Sequence, residues 1–150
     1  MVFTGTGDVF ASGADIVELT RLNPETAAAF SQRGQALFQM IAVARQTTIA
    51  AINGYCMGGA LDLSLACDIR VASRKAVFAH PGARLGIITG WGGTQRLPRL
   101  IGRARALEFF ITAKRMESEE ARAIGLIDEI FDPVLQRAIK LARSTPMRTA

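Results

Sequence analysis

The chain has 150 residues, 49% of them hydrophobic and 21% charged, with a formal net charge of +5. That length suits one domain with a real core, and the composition excludes a disordered or low-complexity chain. The mean hydropathy, +0.22, is high for a small soluble monomer. Either other subunits cover apolar surface or part of the domain lies outside these residues.

The positive charge is dispersed. Its densest cluster is Arg96, Arg99, Arg103 and Arg105, which reads either as a solvated helix face or as affinity for a phosphorylated small molecule. No aromatic residues interleave with it and no nucleic-acid motif occurs, so no nucleic-acid partner is expected. Cys56 and Cys67 stand in apolar surroundings at no metal-ligand spacing. They read as buried small hydrophobes in a reducing, cytoplasmic setting, and no metal site is expected. No leader is expected at Met1–Thr4, which has no basic flank. The run from Thr47 to Cys67 is long enough to cross a membrane, but Asn53, Asp62, Gly54, Gly58 and Gly59 interrupt it, so no membrane partner is expected.

In chain order, Met1–Thr4 predicts a strand end and Gly5-Thr6-Gly7-Asp8 a turn. Val9 to Ile16 reads as a small-residue loop. Asn23-Pro24-Glu25 predicts a helix start, with a capping Asn, Pro in the first turn and an acid beside it. Phe30, Gly34, Leu37 and Ile41 fall on one helical face, widened by Phe38 and Met40. Gln46–Ile52 predicts a buried strand. Asn53-Gly54 is a turn, and Gly58–Ala66 a helix. Asp68–Ser73 and Ala76–Ala79 predict two strands, with Asp68 in a structural role. His80–Gly93 is a long glycine-bearing loop, a type of segment that is often functional. Thr94–Ile101 predicts a helix stopped by Gly102, and Arg103–Ala113 a second with Ala106, Leu107, Phe110 and Ile111 inward. Ser118 is expected to cap a helix over Glu119–Ile124. Ile127–Phe131 predicts a strand, and Pro133 starts a helix running to Ala150. Strands alternating with helices argue an α/β fold over residues 1–150 as a single domain.

The stretch IAAINGYCMGGALDLSLACDI, Ile49 to Ile69, is where a strand feeds a glycine turn that opens a helix. The first N–H groups of a helix lack partners within it, and the helix dipole favours negative charge there. The loop around Ala14 also follows a strand. In a parallel sheet such loops converge at the carboxyl ends of the strands, where two facing N–H groups would form an oxyanion hole. Asp62 lies three residues after Gly59, on the same face of the first helical turn. By itself it reads as an acid serving the helix dipole or a buried hydrogen-bond partner.

Together with FASGADI upstream and LGIITGWGGTQRLPRLIG downstream, this stretch resembles the crotonase superfamily of enoyl-CoA hydratases and isomerases. The resemblance covers essentially the whole chain, with three motifs in order. It implies a crotonase-like (ClpP/crotonase) spiral of ββα units, a homotrimer or dimer of trimers, and an acyl-CoA thioester as ligand. Coenzyme A would be part of the substrate, with no separate cofactor. The N–H groups of Ala14 and Gly59 match the family's oxyanion-hole positions, and Asp62 the first catalytic glutamate of its hydratases. Ala14, Asp15, Ile16, Gly58, Gly82 and His80 match substrate-binding positions.

Two departures stand out. The second hydratase glutamate maps onto Gly82, so standard two-carboxylate hydration is in doubt. His80 and Arg84 flank that gap: His80 reads as a structural loop histidine, or as a substitute base or carboxylate-recognising group, and Arg84 as a surface residue or a carboxylate holder. Family members also carry segments before Met1 and after Ala150, so the fold is expected to be incomplete at both ends, with its first strand at an edge. Trp91 is expected to pack under the glycine loop, or to act as a lid. The resemblance implies an acyl-CoA enzyme of hydratase/isomerase type. The alternatives are a decarboxylase or thioester hydrolase using one carboxylate, and a non-catalytic acyl-CoA-binding or assembly subunit.

Overall fold

The computed structural model describes residues 1–147. They form two four-stranded sheets. The first holds β1 (Val2–Thr4), β3 (Ile49–Ile52), β5 (Ile69–Ala72) and β8 (Glu129–Ile130) in that order, all parallel. The second holds β2 (Val9–Ala11), β4 (Tyr55–Met57) and β6 (Val77–Ala79) in parallel, with β7 (Met116–Glu117) antiparallel on β6. From β1 to β6, successive strands enter alternate sheets. Each of the first three strand pairs then feeds helix: α1 (Ile16–Thr20) and α2 (Pro24–Ala42), then α3 (Gly59–Ala66), then a 3-10 turn (Pro81–Leu85) and α4 (Gly93–Ile101). This is the ββα repeat expected of the chain. The helices α5 (Arg103–Thr112), α6 (Ser118–Ala123) and α7 (Val134–Ser144) complete the order.

β3 shows why an apolar run becomes a strand here. All four of its residues are fully buried, as in a parallel sheet covered on both faces. Alternate side chains enter different cores. Ala50 and Ile52 join Leu61, Phe78 and Phe109 in the main core, while Ile49 and Ala51 meet Val71, Val134 and Ala138 beneath α7. Full burial of a side chain such as Phe78 or Ile52 stabilises by roughly 1.5–3 kcal/mol. β1 pairs only with β3 and forms the sheet edge.

Two polar side chains fix the register of these repeats. Asn53 accepts from Gly5 N at 2.9 Å and donates to the carbonyls of Gly7 and Val9, stitching the first turn to the second. Asp68 accepts from Thr48 N at 2.8 Å and from its hydroxyl at 3.0 Å, so the starts of β3 and β5 are held level. This is the structural role expected of Asp68. The α2 cap is reciprocal: Asn23 accepts from Thr26 N, and Thr26 Oγ1 accepts from Asn23 N.

The structure corrects several local expectations. Val9–Ala11, Tyr55–Met57 and Met116–Glu117 are strands; at two or three residues they are too short for an alternating pattern to register. On α5 the buried residues are Ala106, Phe109 and Phe110, whereas Leu107 and Ile111 are exposed. The sequence offers two apolar stripes, and packing on α4 and the 3-10 turn selects the other one. Leu37 and Met40 of α2 are likewise exposed, and Gly34 and Phe38 are buried. Ser118 does not cap α6: its buried hydroxyl donates to Ser73 O at 2.6 Å and lies 3.0 Å from Ala76 O. The last helix ends at Ser144 rather than running on, because Pro146 disfavours helix at the residue before it; positions 148–150 of that expectation lie outside the described residues.

Candidate active site

The glycine turn after β4 is built by backbone requirements. Gly58 has φ 55°, a conformation that side chains disfavour, and its N–H is held by Ala79 O at 3.0 Å. Gly59 then opens α3. The loop after β2 passes directly beside it: a Cβ on Gly59 would stand 3.5 Å from Ala14 N, and one on Gly13 would stand 3.0 Å from Gly59 N. The N–H groups of Ala14 and Gly59 are therefore neighbours, and neither donates to a protein acceptor among the described residues.

Both residues line a cavity of about 310 Å³, and Ile16, Gly58, Asp62, His80 and Gly82 line it too. An apolar wall of Leu19, Leu22, Ala27, Phe30, Ile87 and Trp91 closes it. Two loops, one helix start and the 3-10 turn thus converge where strand ends meet. Asp15 is the exception among the sequence-predicted site residues. It is exposed, caps α1 by accepting from Val17 N at 2.8 Å, and is not among the cavity-lining residues.

Asp62 is 1% exposed. Its Oδ2 accepts a short hydrogen bond from Thr89 Oγ1. Its Oδ1 has no hydrogen-bond partner and faces His80 Nε2 at 3.7 Å, beyond hydrogen-bond distance. Gly93 makes room for the carboxylate, since a Cβ there would run into Oδ1. His80 is itself buried, and Phe110 packs edge-on to its ring at 5.5 Å and 80°. Its Nε2 also lacks a partner.

Gly82 is more than a missing side chain. A Cβ there would stand 2.7 Å from Ile87 O, and Ile87 N in turn donates to Gly82 O at 3.0 Å. The backbone is folded over the position that the second carboxylate would occupy. Trp91 packs under the glycine loop as expected, with its ring against Gly59 and Gly34 and beside Phe30 and Phe38. Arg84 turns away to Ala113 O at 3.4 Å. Of the arginine cluster, Arg96 and Arg99 bond to nearby backbone carbonyls, of Trp91 and Gln95.

Thr89 and Gly93, which hold Asp62, carry no sequence signal for that role. They lie 27 and 31 residues away, Thr89 in a loop without periodicity and Gly93 at the start of α4. No group of three or more His, Cys, Asp or Glu among the described residues could hold a metal ion, and no described helix is long and apolar enough to cross a membrane. Both cysteines are free and buried. Burial pushes the Cys67 thiol up to about 11 and the Cys56 thiol further still.

Similarity to known proteins shows the family and the fold. The family model for enoyl-CoA hydratase/isomerase matches residues 1–147. The chain belongs to the enoyl-CoA hydratase/isomerase family. This family member is 40% identical over 134 residues to the crotonyl-CoA hydratase of Syntrophomonas wolfei, covering 89% of this chain and 52% of that one. It is 38% identical over 134 residues to the short-chain-enoyl-CoA hydratase of Clostridium acetobutylicum, covering 89% and 51%. Among solved structures, the enoyl-CoA hydratase from Bacillus anthracis superposes with a TM-score of 0.88 at 39% identity, covering 95% of this chain and 56% of that one. The enoyl-CoA hydratase from Thermoplasma volcanium superposes with a TM-score of 0.89 at 35% identity, covering 96% and 59%. The crotonase-like α/β fold expected from the sequence is thus shown for this family member. The chain spans about half the length of the curated relatives it matches.

Proposed function

We propose that this family member is an acyl-CoA thioester-processing enzyme of enoyl-CoA hydratase/isomerase type, which stabilises a thioester enolate between the N–H groups of Ala14 and Gly59. The carrying observation is the juxtaposition of those two unpartnered donors in the cavity that also holds Asp62. A thioester carbonyl oxygen seated between them gains negative charge as the enolate forms. Preorganised donors in a dry site act on that charge without reorganising, and losing one donor typically costs roughly 100- to 1000-fold in rate. The dipole of α3 adds to the Gly59 N–H.

Asp62 is the acid/base in this reading, moving a proton at the carbons next to the thioester. Ala14, Ile16, Gly58, Gly82 and His80 line the path of the acyl and pantetheine groups, with Asp15 at its outer edge. Coenzyme A arrives as part of the substrate and no separate cofactor takes part. The working assembly is a homotrimer or dimer of trimers, located in the cytoplasm. A second reading rests on Gly82, which supplies no carboxylate: decarboxylation of a malonyl-type thioester, or thioester hydrolysis, uses the same oxyanion hole with one acid.

The test is calorimetric binding of crotonyl-CoA and malonyl-CoA to the full-length protein, followed by turnover of each. Binding with hydration or isomerisation of an enoyl thioester supports the first reading, and turnover of malonyl-CoA alone the second. No binding of either overturns both.

A further inference from the structure

The cavity is selective in ways that the oxyanion hole and Asp62 do not themselves require. The chain carries 18 lysines and arginines, yet none among the described residues lines the cavity. Arg84 turns to Ala113 O at 3.4 Å, and Arg33 is drawn to Glu18 at 2.7 Å. The ionisable side chains on the lining are Asp62 and His80, 3.7 Å apart. Any positive charge on His80 is thus answered by that carboxylate. A second carboxylate, carried in by a substrate, would be desolvated beside Asp62 with no cation to pair with. An unpaired buried charge is strongly unfavourable.

The cavity also has an end. Gly59 rests on the Trp91 indole, where a Cβ would be 2.5 Å from Cζ3. Phe30 stands against the same indole, with ring centroids 5.2 Å apart. A chain leaving a carbonyl at Gly59 along the indole therefore meets the Phe30 ring. Thr89, which holds Asp62, lies two residues before Trp91, so this wall is on the side of the carbons that Asp62 serves. The Arg33 guanidinium lies over the Phe30 ring at 5.4 Å, and Glu18 of α1 holds Arg33. That exposed ion pair adds little energy; the guanidinium and the indole packed on the ring keep it in place. The volume, about 310 Å³, is at the small end for ligand cavities, and the thioester itself takes part of it.

We infer that this site selects short, uncharged acyl thioesters, with Phe30 as the residue that sets the length limit and the cation-free lining as the feature that rejects a distal carboxylate. This rests on the proposed thioester-enolate reading. Within that reading it sets enoyl thioesters above malonyl-type ones. It also gives Phe30 a role in specificity that is separate from the proton chemistry of Asp62.

The test compares three α,β-unsaturated thioesters on the full-length protein: pentenoyl-CoA, decenoyl-CoA and glutaconyl-CoA. The last differs from the first by a carboxylate in place of the terminal methyl. Preferences are read in kcat/KM and, by calorimetry, in Kd. Pentenoyl-CoA should be preferred to glutaconyl-CoA by about 100-fold or more. It should be preferred to decenoyl-CoA by about tenfold or more, because surplus methylenes do not fit a closed apolar pocket. Phe30→Ala should raise decenoyl-CoA relative to pentenoyl-CoA by about tenfold or more. A merely structural role would lower both alike and leave that ratio unmoved. Should Phe30→Ala fail to fold, Phe30→Leu is read in the same way, with a rise of about threefold or more expected. An unmoved ratio in the folded variant overturns the inference. So does wild-type use of glutaconyl-CoA or malonyl-CoA within about threefold of pentenoyl-CoA; either result leaves the enolate reading standing. Absence of binding of every thioester overturns that reading itself.

Discussion

A Cβ on Gly59 would stand 2.5 Å from Trp91 Cζ3, so the indole occupies the one place beside the glycine turn that only glycine leaves free. The contact ties the α3 N-terminus to the loop before α4, and Phe30 and Phe38 hold the indole from α2. Gly59→Ala should therefore displace either Trp91 or the Gly59 N–H. We expect a loss of stability of about 1–3 kcal/mol from overpacking, read by denaturant unfolding. Turnover should fall by about 100-fold or more if the N–H moves.

Thr89→Val tests the hold on Asp62. Valine matches threonine in shape but removes the hydroxyl that donates to Oδ2. A buried carboxylate oxygen left unpaired is destabilising by about 1–3 kcal/mol, so thermal unfolding should shift down and kcat should fall with it. Thr89→Ser keeps the hydroxyl and should retain most of both. Equal behaviour of the two variants would show that the hydrogen bond does not matter.

Asp62→Asn separates binding from chemistry. The amide preserves shape but cannot take up a proton, so turnover should drop by about 100- to 10,000-fold. Calorimetric binding of a CoA thioester should change little, since the Ala14 and Gly59 N–H groups are untouched. Unchanged turnover would remove Asp62 from the chemistry.

Asp132 sets an acid-side stability effect. The Ser73 hydroxyl first, helped by the Arg74 N–H at 3.1 Å, holds its carboxyl below the usual carboxylate range, against the opposing effect of burial. A group whose folded value lies below its unfolded one stabilises above the unfolded value, near 3.9, and loses that contribution as pH falls through the folded value. Asp132→Asn should thus be less stable than wild type at neutral pH, by under about 1 kcal/mol because the group is mostly exposed. The gap should close in strong acid. A gap that widens on acidification would contradict the assignment.

Cys56 and Cys67 should resist thiol reagents in the folded protein. Burial keeps both as thiols at neutral pH, Cys67 with a value of about 11 and Cys56 above it, and the thiolate is the reactive form. Both should react promptly once the chain is unfolded, as read by the absorbance of a released aromatic thiol. Fast labelling of native protein would mean that the α3 region opens.

Much of the fold was legible in the sequence, for physical reasons. The apolar run Ile49–Ile52, the Asn23-Pro24 helix start and the glycine turn at Gly58-Gly59 each leave a local signature, through burial on two faces, capping chemistry and positive φ. The short strands at Val9, Tyr55 and Met116 do not, because their pairing is set by neighbours distant in the chain. Nor could periodicity choose between the two apolar stripes of α5, where contact with α4 buries Phe109 and leaves Leu107 exposed.

The same division runs through the site. The sequence by itself determined the family, the two glycine-bearing loops, the lone carboxylate Asp62 and the absence of an acid at Gly82. Each is a matter of residue type at a position along the chain. Only the tertiary structure decided that Thr89 secures one oxygen of Asp62 while the other faces His80 across 3.7 Å. That geometry joins α3, the end of β6 and the loop before α4, segments that no local pattern relates. Packing against Phe110 and Trp91 brings them to one cavity.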